Sequence, residues 1–287
     1  MKVTGFSFIR NAIKYDYPIV EAITSILPIC DEFILAVGNS DDATLEIINN
    51  INSPKIKIIH TIWDDSLREG GRVLALETDK AFKEISKHSD WAFYIQGDEV
   101  VHEKYLQNIK ADMLKWKDDK KVEGLLFKYK HFYGSYDYVG DSRKWYRYEV
   151  RIVRPNNNVF SYRDAQGFRI YPNQKLKVKL LDAYIYHYGW VKPPEKQGDK
   201  IRNFHKLWNT SEIEGKYDFD YSSIDSLDLF KETHPKVMEE RIKKLNWKFD
   251  YPVDKKNYQS TLFAWLMWFE RMTGYRIGEY RNFKLLK

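Results

Sequence analysis

The first half of the chain alternates short apolar runs with amphipathic stretches. Val3–Ile9 (VTGFSFI) is a strand-like run ending at Arg10 and Asn11. Asp16, Tyr17 and Pro18 open a helix whose apolar face is Ile19, Val20, Ile23, Ile26 and Leu27, since proline suits a first helical turn. A second run, Glu32–Val37, leads into Gly38-Asn39-Ser40-Asp41-Asp42-Ala43-Thr44, a tight turn and helix cap. Lys55–Ile62 is a third strand, 63–71 a polar loop, and Arg72–His88 a helix. Trp91–Ile95 is a fourth, fully apolar run that changes abruptly to Gln96, Gly97, Asp98 and Glu99 before a helix around Lys104–Trp116.

Four strands alternating with four helices predict an α/β fold with a mostly parallel sheet and helices on both faces. Right-handed crossovers bring all four strand ends to one edge, and ligands in such sheets bind beyond the carboxyl ends of the strands. Arg10, 38–42, the loop after Ile62 and 96–99 are therefore expected on one rim. The pattern then changes. Gly124–Lys130, Tyr148–Arg154 and Lys175–Tyr188 read as an antiparallel extension of the sheet, and three helices follow, at 196–208, 235–245 and 257–273. The division expected is 1–120, the parallel α/β half; 121–192, the second half of the same domain; and 193–287, a helical region.

Composition narrows the partners. The 287 residues are 43% hydrophobic and 31% charged, with net charge +6 and pI about 9.0. This is a globular chain with a preference for anionic ligands. No long basic run points to nucleic acid. The single cysteine, Cys30, excludes an internal disulfide and a multi-cysteine zinc site, which suits a reducing cytoplasm. The strand-like start carries no cleavage pattern. No apolar run approaches the ~20 residues of a membrane span. The stretch Leu262–Phe269, with Arg271, Arg276, Arg281, Lys284 and Lys287 after it, is expected to pack on the main body; a peripheral contact at the inner face of a membrane is its alternative use.

Asp98 is the first functional candidate. A diphosphate is commonly neutralised by a hard divalent ion held by one or two carboxylates; a helix cap or a solvated loop acid is the competing use of such a residue. Here the sequence resembles the family-2-like, GT-A-fold glycosyltransferases that use nucleotide sugars. Gln96-Gly97-Asp98-Glu99 stands where they carry Asp-x-Asp, Asn39-Ser40-Asp41-Asp42-Ala43-Thr44 is similar to their second-strand turn, and Gly70-Gly71-Arg72-Val73-Leu74-Ala75 to the start of their third helix. The resemblance implies a nucleotide-sugar donor contacted by Arg10, Asn11, Asn39, Asp41, Arg72 and Gln96. It also implies a divalent cation, Mn²⁺ or Mg²⁺, on Asp98 with a downstream histidine, His187 of Tyr186-His187-Tyr188-Gly189-Trp190. Two departures stand out: Gln96 replaces the first acid, and Gly38-Asn39 replaces an Asp pair.

An inverting transfer needs a carboxylate base from the second half. Asp164, in the polar loop Tyr162–Phe168, and Glu149, between Arg147 and Arg151, are the candidates. Tyr136, Trp145 and Trp190 are candidate aromatic faces for a sugar acceptor, a glycan or a lipid-linked glycan. The alternatives are a nucleotidyltransferase, for which a glycine-rich phosphate loop after the first strand is missing, and a non-catalytic sugar-binding protein with a degenerate metal site.

Overall fold

The computed structural model describes residues 1–67, 69–208, 219–254 and 256–287; residue 68 of the 63–71 loop lies outside them. In chain order the elements are β1 (Val3–Ile9), α1 (Ile19–Ile26), β2 (Glu32–Gly38), α2 (Thr44–Asn49), β3 (Ile56–Thr61), α3 (Arg72–Lys83), β4 (Trp91–Tyr94), β5 (Glu99–Val101), α4 (Leu106–Trp116), β6 (Gly124–Tyr133), β7 (Tyr138–Gly140), β8 (Tyr148–Val153), β9 (Val159–Tyr162), β10 (Gly167–Ile170), β11 (Gln174–Trp190), α5 (Pro194–Leu207), β12 (Leu227–Leu229), α6 (Glu239–Lys243), α7 (Thr261–Thr273) and β13 (Phe283–Leu285).

The main sheet runs β3-β2-β1-β4-β8-β6-β11-β10-β9. Strands β3, β2, β1 and β4 are mutually parallel. Their apolar runs are continuous because both faces are covered: Phe33, Leu35 and Val37 of β2 pack with α1, while Ile34 and Ala36 pack with α3. This is the α/β architecture the sequence pattern predicts.

The second half extends the sheet with mixed polarity. Strand β8 is antiparallel to β4 and β6, as expected. Strands β6 and β11, however, are parallel, because the excursion through β7–β10 carries the chain back to the starting side before β11 begins. Strand β11 also pairs antiparallel with the short β5, Glu99 opposite His187. That register carries the turn after β4 to the end of β11, and it sets up the site.

Helix α7 departs from expectation. Only Met267 of it is buried, and Leu262, Trp265, Trp268 and Met272 are exposed. Polar contacts hold the helix instead: Arg143 donates to Glu270 at 2.8 Å and Arg271 to Asp141 at 2.6 Å. No helix among the described residues is long and apolar enough to cross a membrane.

Candidate active site

A cavity of about 910 Å³ opens at the carboxyl ends of β1–β4. One wall comes from the parallel strand ends: Arg10, Asn11, Lys14, Asp41, Trp63, Asp65, Gln96 and Asp98. Side chains stitch these turns together. Asn11, in a left-handed conformation (φ 56°), accepts from the Asp41 backbone N–H at 2.9 Å, while its own N–H donates to Ser40 Oγ at 3.0 Å. Arg10 donates to Asp65 at 2.6 Å and to the Asn39 carbonyl at 3.2 Å. Gly38 is required here by close approach, since a Cβ would lie 2.4 Å from Trp63 Nε1.

Asp98 and Glu99, adjacent in sequence, have different fates. Glu99 is fully buried and closed off by a two-point ion pair with Arg151, both N–H···O distances 2.8 Å, and by the Tyr129 hydroxyl at 2.7 Å. It belongs to the scaffold and is not a second metal carboxylate. Asp98 faces the cavity. Its Oδ2 lies 3.1 Å from Lys200 Nζ and 3.7 Å from His187 Nε2. Burial pushes its carboxyl up, but Lys200, His187 and Lys192 outweigh that and hold it well below the usual carboxylate range.

The His187 ring is oriented by a second histidine. His131, buried, donates from Nε2 to the Tyr146 carbonyl at 2.8 Å, since a carbonyl only accepts. Burial and the neighbouring His187 hold His131 well below its ordinary pKa, so its Nδ1 carries a lone pair. The Nδ1···Nδ1 contact of 3.0 Å then requires His187 to donate from Nδ1, which leaves its Nε2 as the nitrogen that faces Asp98. A ring nitrogen fixed by a donation from its opposite nitrogen is the usual setting of a metal-binding histidine. Gly189 completes the cradle: a Cβ there would stand 2.7 Å from His187 Nε2 and 2.8 Å from Asp98 Oδ2. Lys200 Nζ also donates to the Gly189 carbonyl at 2.9 Å, so a cationic group already rests against this cradle.

These residues fit a hard divalent cation as a sparse donor set: one carboxylate, one imidazole lone pair and a nearby carbonyl, with the remaining positions left to water and phosphate oxygens. Among the described residues no group of three or more His, Cys, Asp or Glu side chains converges.

The far wall carries Asp164, Gln166, Trp190 and the inner face of α5, including Gln197, Lys200, Asn203 and Phe204. Asp164 sits between two left-handed residues, Arg163 (φ 57°) and Ala165 (φ 64°). Such backbone is costly for side-chain-bearing residues and persists only where surroundings enforce it. Three contacts do so. Gln96 Nε2 donates to the Ala165 carbonyl at 2.9 Å, Arg151 to the Gln166 carbonyl at 2.9 Å, and Gln166 Nε2 to Glu149 Oε1 at 2.8 Å. Burial raises the Asp164 pKa. The departure at position 96 thus has a physical reason: an amide donates to a carbonyl, and a carboxylate there would face it with like charge.

Of the residues singled out from sequence, Arg10, Asn11, Asp41, Gln96, Asp98, Asp164, His187 and Trp190 line the cavity. Five do not. Arg72 is exposed on α3, whose buried face is Val73, Leu74, Glu77 and Thr78; Leu74 reaches the cavity instead. Asn39, exposed, is outside the cavity lining; its carbonyl accepts from Arg10 and its side-chain oxygen from the Trp63 N–H. Glu149, 3% exposed, is sealed beneath Gln166. Tyr136 packs among Tyr188 and His234, and Trp145 stacks on His131 at 5.1 Å between ring centroids. Lys200, Lys192 and His131 were missed; nothing in the sequence ties α5 to the rim.

No family model matches the sequence, and no curated protein matches it. Among solved structures the chain is similar to TarS 1-349 of S. aureus, with 16% identity over 75% of this chain and 67% of that one, at a TM-score of 0.40. The same protein in complex with UDP gives 16% and 0.42. It is also similar to the glucosyl-3-phosphoglycerate synthase of Mycobacterium tuberculosis in complex with Mn²⁺, UDP and phosphoglyceric acid: 18% identity over 46% of this chain and 43% of that one, at a TM-score of 0.30.

Proposed function

We propose that the protein is a GT-A-like glycosyltransferase, assisted by a divalent cation, that moves a sugar from a nucleotide-sugar donor to a hydroxyl of a glycan or lipid-linked glycan with inversion. The observation that carries this reading is the meeting of Asp98 and His187 at the mouth of the parallel strands, in one cavity with Arg10, Asn11, Asp41 and Asp164. The β1 and β2 turns take the nucleoside side. Asp98 and His187 would hold Mn²⁺ or Mg²⁺, which would supply positive charge to neutralise the departing diphosphate. Asp164, on its enforced turn, accepts the proton of the acceptor hydroxyl as that oxygen attacks the anomeric carbon, and Trp190 offers a face to the acceptor ring. A raised carboxyl pKa suits a base. Residues 1–120 and 121–192 serve as donor and acceptor halves, and 193–287 adds α5 to the far wall. The exposed apolar face of α7, in a chain of net charge +6, supports peripheral contact with an anionic lipid surface in a cytoplasmic setting; failure to float with phosphatidylglycerol vesicles sinks that part.

Calorimetry with UDP, GDP and CDP, each with and without Mn²⁺, tests the assignment. One nucleotide is expected to bind with Mn²⁺, and Asp98→Asn to weaken it on the order of 100-fold, the scale of losing one member of a buried charge pair. Binding of no nucleotide under either condition overturns the reading.

A further inference from the structure

We infer that Lys200 is a built-in counter-ion that holds the cation position until the donor arrives, so that its ammonium and the divalent cation occupy the position in turn. The inference rests on the transferase reading for its trigger, and on the geometry alone for the exclusion.

The same carboxylate oxygen serves both cations. Asp98 Oδ2 is the atom 3.1 Å from Lys200 Nζ and the atom nearest His187 Nε2, at 3.7 Å. Lys200 Nζ also takes the Gly189 carbonyl at 2.9 Å, beside the space that the missing Cβ leaves open. The setting is poor in water: Lys200 Nζ lies over the rings of Tyr17 and Phe204 at 5.1 and 5.6 Å. A second buried amine, Lys192, whose pKa burial and the neighbouring Lys200 push down to about 7, lies over the Tyr17 ring at 4.6 Å. No second acid faces the cation position itself, because Glu99 is committed to Arg151 and position 96 is an uncharged Gln. A divalent ion added beside a seated Lys200 would put two cations against one carboxylate in a low-dielectric pocket, where like charges repel strongly.

Lys200 can leave without refolding. It stands on the cavity face of α5, with Asn203 and Phe204 lining the same cavity, and its four-carbon stem is flexible. An arriving diphosphate offers its ammonium a new anionic partner inside the cavity. The cation position is freed at the moment a phosphate is present to help fill it. Metal loading is then coupled to donor binding, and Mn²⁺ alone binds weakly.

Electron paramagnetic resonance of free Mn²⁺, titrated with nucleotide-free protein, tests this. Lys200→Met is expected to bind Mn²⁺ at least 10-fold more tightly than wild type, and Asp98→Asn in the K200M background to abolish the gain. Melting curves check each fold; Lys200→Gln, which keeps a donor for the Gly189 carbonyl, carries the same expectation should K200M not fold. Equal Mn²⁺ affinity in wild type and both Lys200 variants overturns the inference. So does wild-type nucleotide binding that is undiminished in EDTA and indifferent to Mn²⁺, which would make Lys200 a permanent substitute for the metal. Because the first titration contains no nucleotide, tighter Mn²⁺ binding in K200M without any nucleotide binding supports the exclusion while sinking the transferase reading.

Discussion

The two walls of the cavity are made differently. On the strand-end wall, Arg10, Asn11, Asp41 and Gln96 arrive together because parallel strands with right-handed crossovers end on one edge; local turn bonds such as Asn11 to Asp41, 2.9 Å, only trim their positions. The far wall has no such rule behind it. Asp164, His187 and Lys200 come from a loop, a strand end and a helix, and each is held by buried polar partners: Gln96 and Arg151 under the Asp164 loop, His131 behind His187, Gly189 and Asp98 around Lys200. A wall built by backbone order tolerates single substitutions in its supports. A wall built by side-chain contacts does not, because each removal leaves a buried group unsatisfied.

The largest effect is expected at Asp164, the base of the proposed reaction. Asp164→Asn keeps the shape of the loop and removes the carboxylate. Turnover should fall by roughly 10²–10⁴-fold, the range of general-base contributions, while the dissociation constant of the nucleotide stays within about threefold. Steady-state kinetics beside calorimetry separates the two, and a variant that loses nucleotide affinity as much as turnover would place Asp164 on the donor and break the division between walls.

Gln96 belongs to one wall by position and to the other by contact, so it sharpens the comparison. If resemblance to an acidic motif governs the position, Gln96→Glu should tighten metal-linked nucleotide binding. If the 2.9 Å donation to Ala165 governs it, the added carboxylate repels that carbonyl and loosens the Asp164 loop. The expected outcome is a drop in kcat on the order of 10-fold, the cost of one unsatisfied buried contact, with no gain in Mn²⁺-dependent affinity. A rise in both would return Gln96 to the metal side.

The same contrast explains what the sequence disclosed. The β1–β4 order and its shared rim were readable because apolar runs and their polar ends are local signals. Asp98 was readable for the same reason. Its partner depended on β5, three residues long, pairing Glu99 opposite His187; the resemblance supplied His187, and periodicity could not have. Nothing local marks Glu99 as a scaffold acid beside Asp98, because the buried Arg151 that claims it lies 52 positions away. Arg72 failed through helix phase, since the residues beside it, Val73 and Leu74, take the inward face. Tyr136 is buried and the half-buried Trp145 stacks on His131: aromatic content cannot distinguish a ring that faces a cavity from one that packs inside the fold. Lys200 had no signal at all, because a lysine on an amphipathic helix resembles any solvated lysine until the helix docks.

Glu149 supports the far wall from beneath, and its effect falls on stability rather than on turnover. Burial, with Arg151 and Gln166 opposing and Glu99 and Asp164 adding to it, raises its pKa from 4.5 to about 7. The folded state therefore binds this proton more tightly than the unfolded chain does, and between those pH values it holds more protons. Stability must fall as pH rises through that window, the reverse of a salt-bridged carboxylate. At 1.36 kcal/mol per pH unit the loss is on the order of 3 kcal/mol. Glu149→Gln keeps an oxygen for the Gln166 donor at Oε1 and cannot ionise. Its melting temperature should exceed that of wild type by several degrees at pH 8, given roughly 2–4 °C per kcal/mol for a domain of 150–250 residues, and differ little at pH 5. A constant offset at both pH values would mean that Glu149 keeps one charge state throughout. The Asp164 loop would then rest on a permanently ionised or permanently neutral support, and its rigidity would come from Gln96 and Arg151 alone.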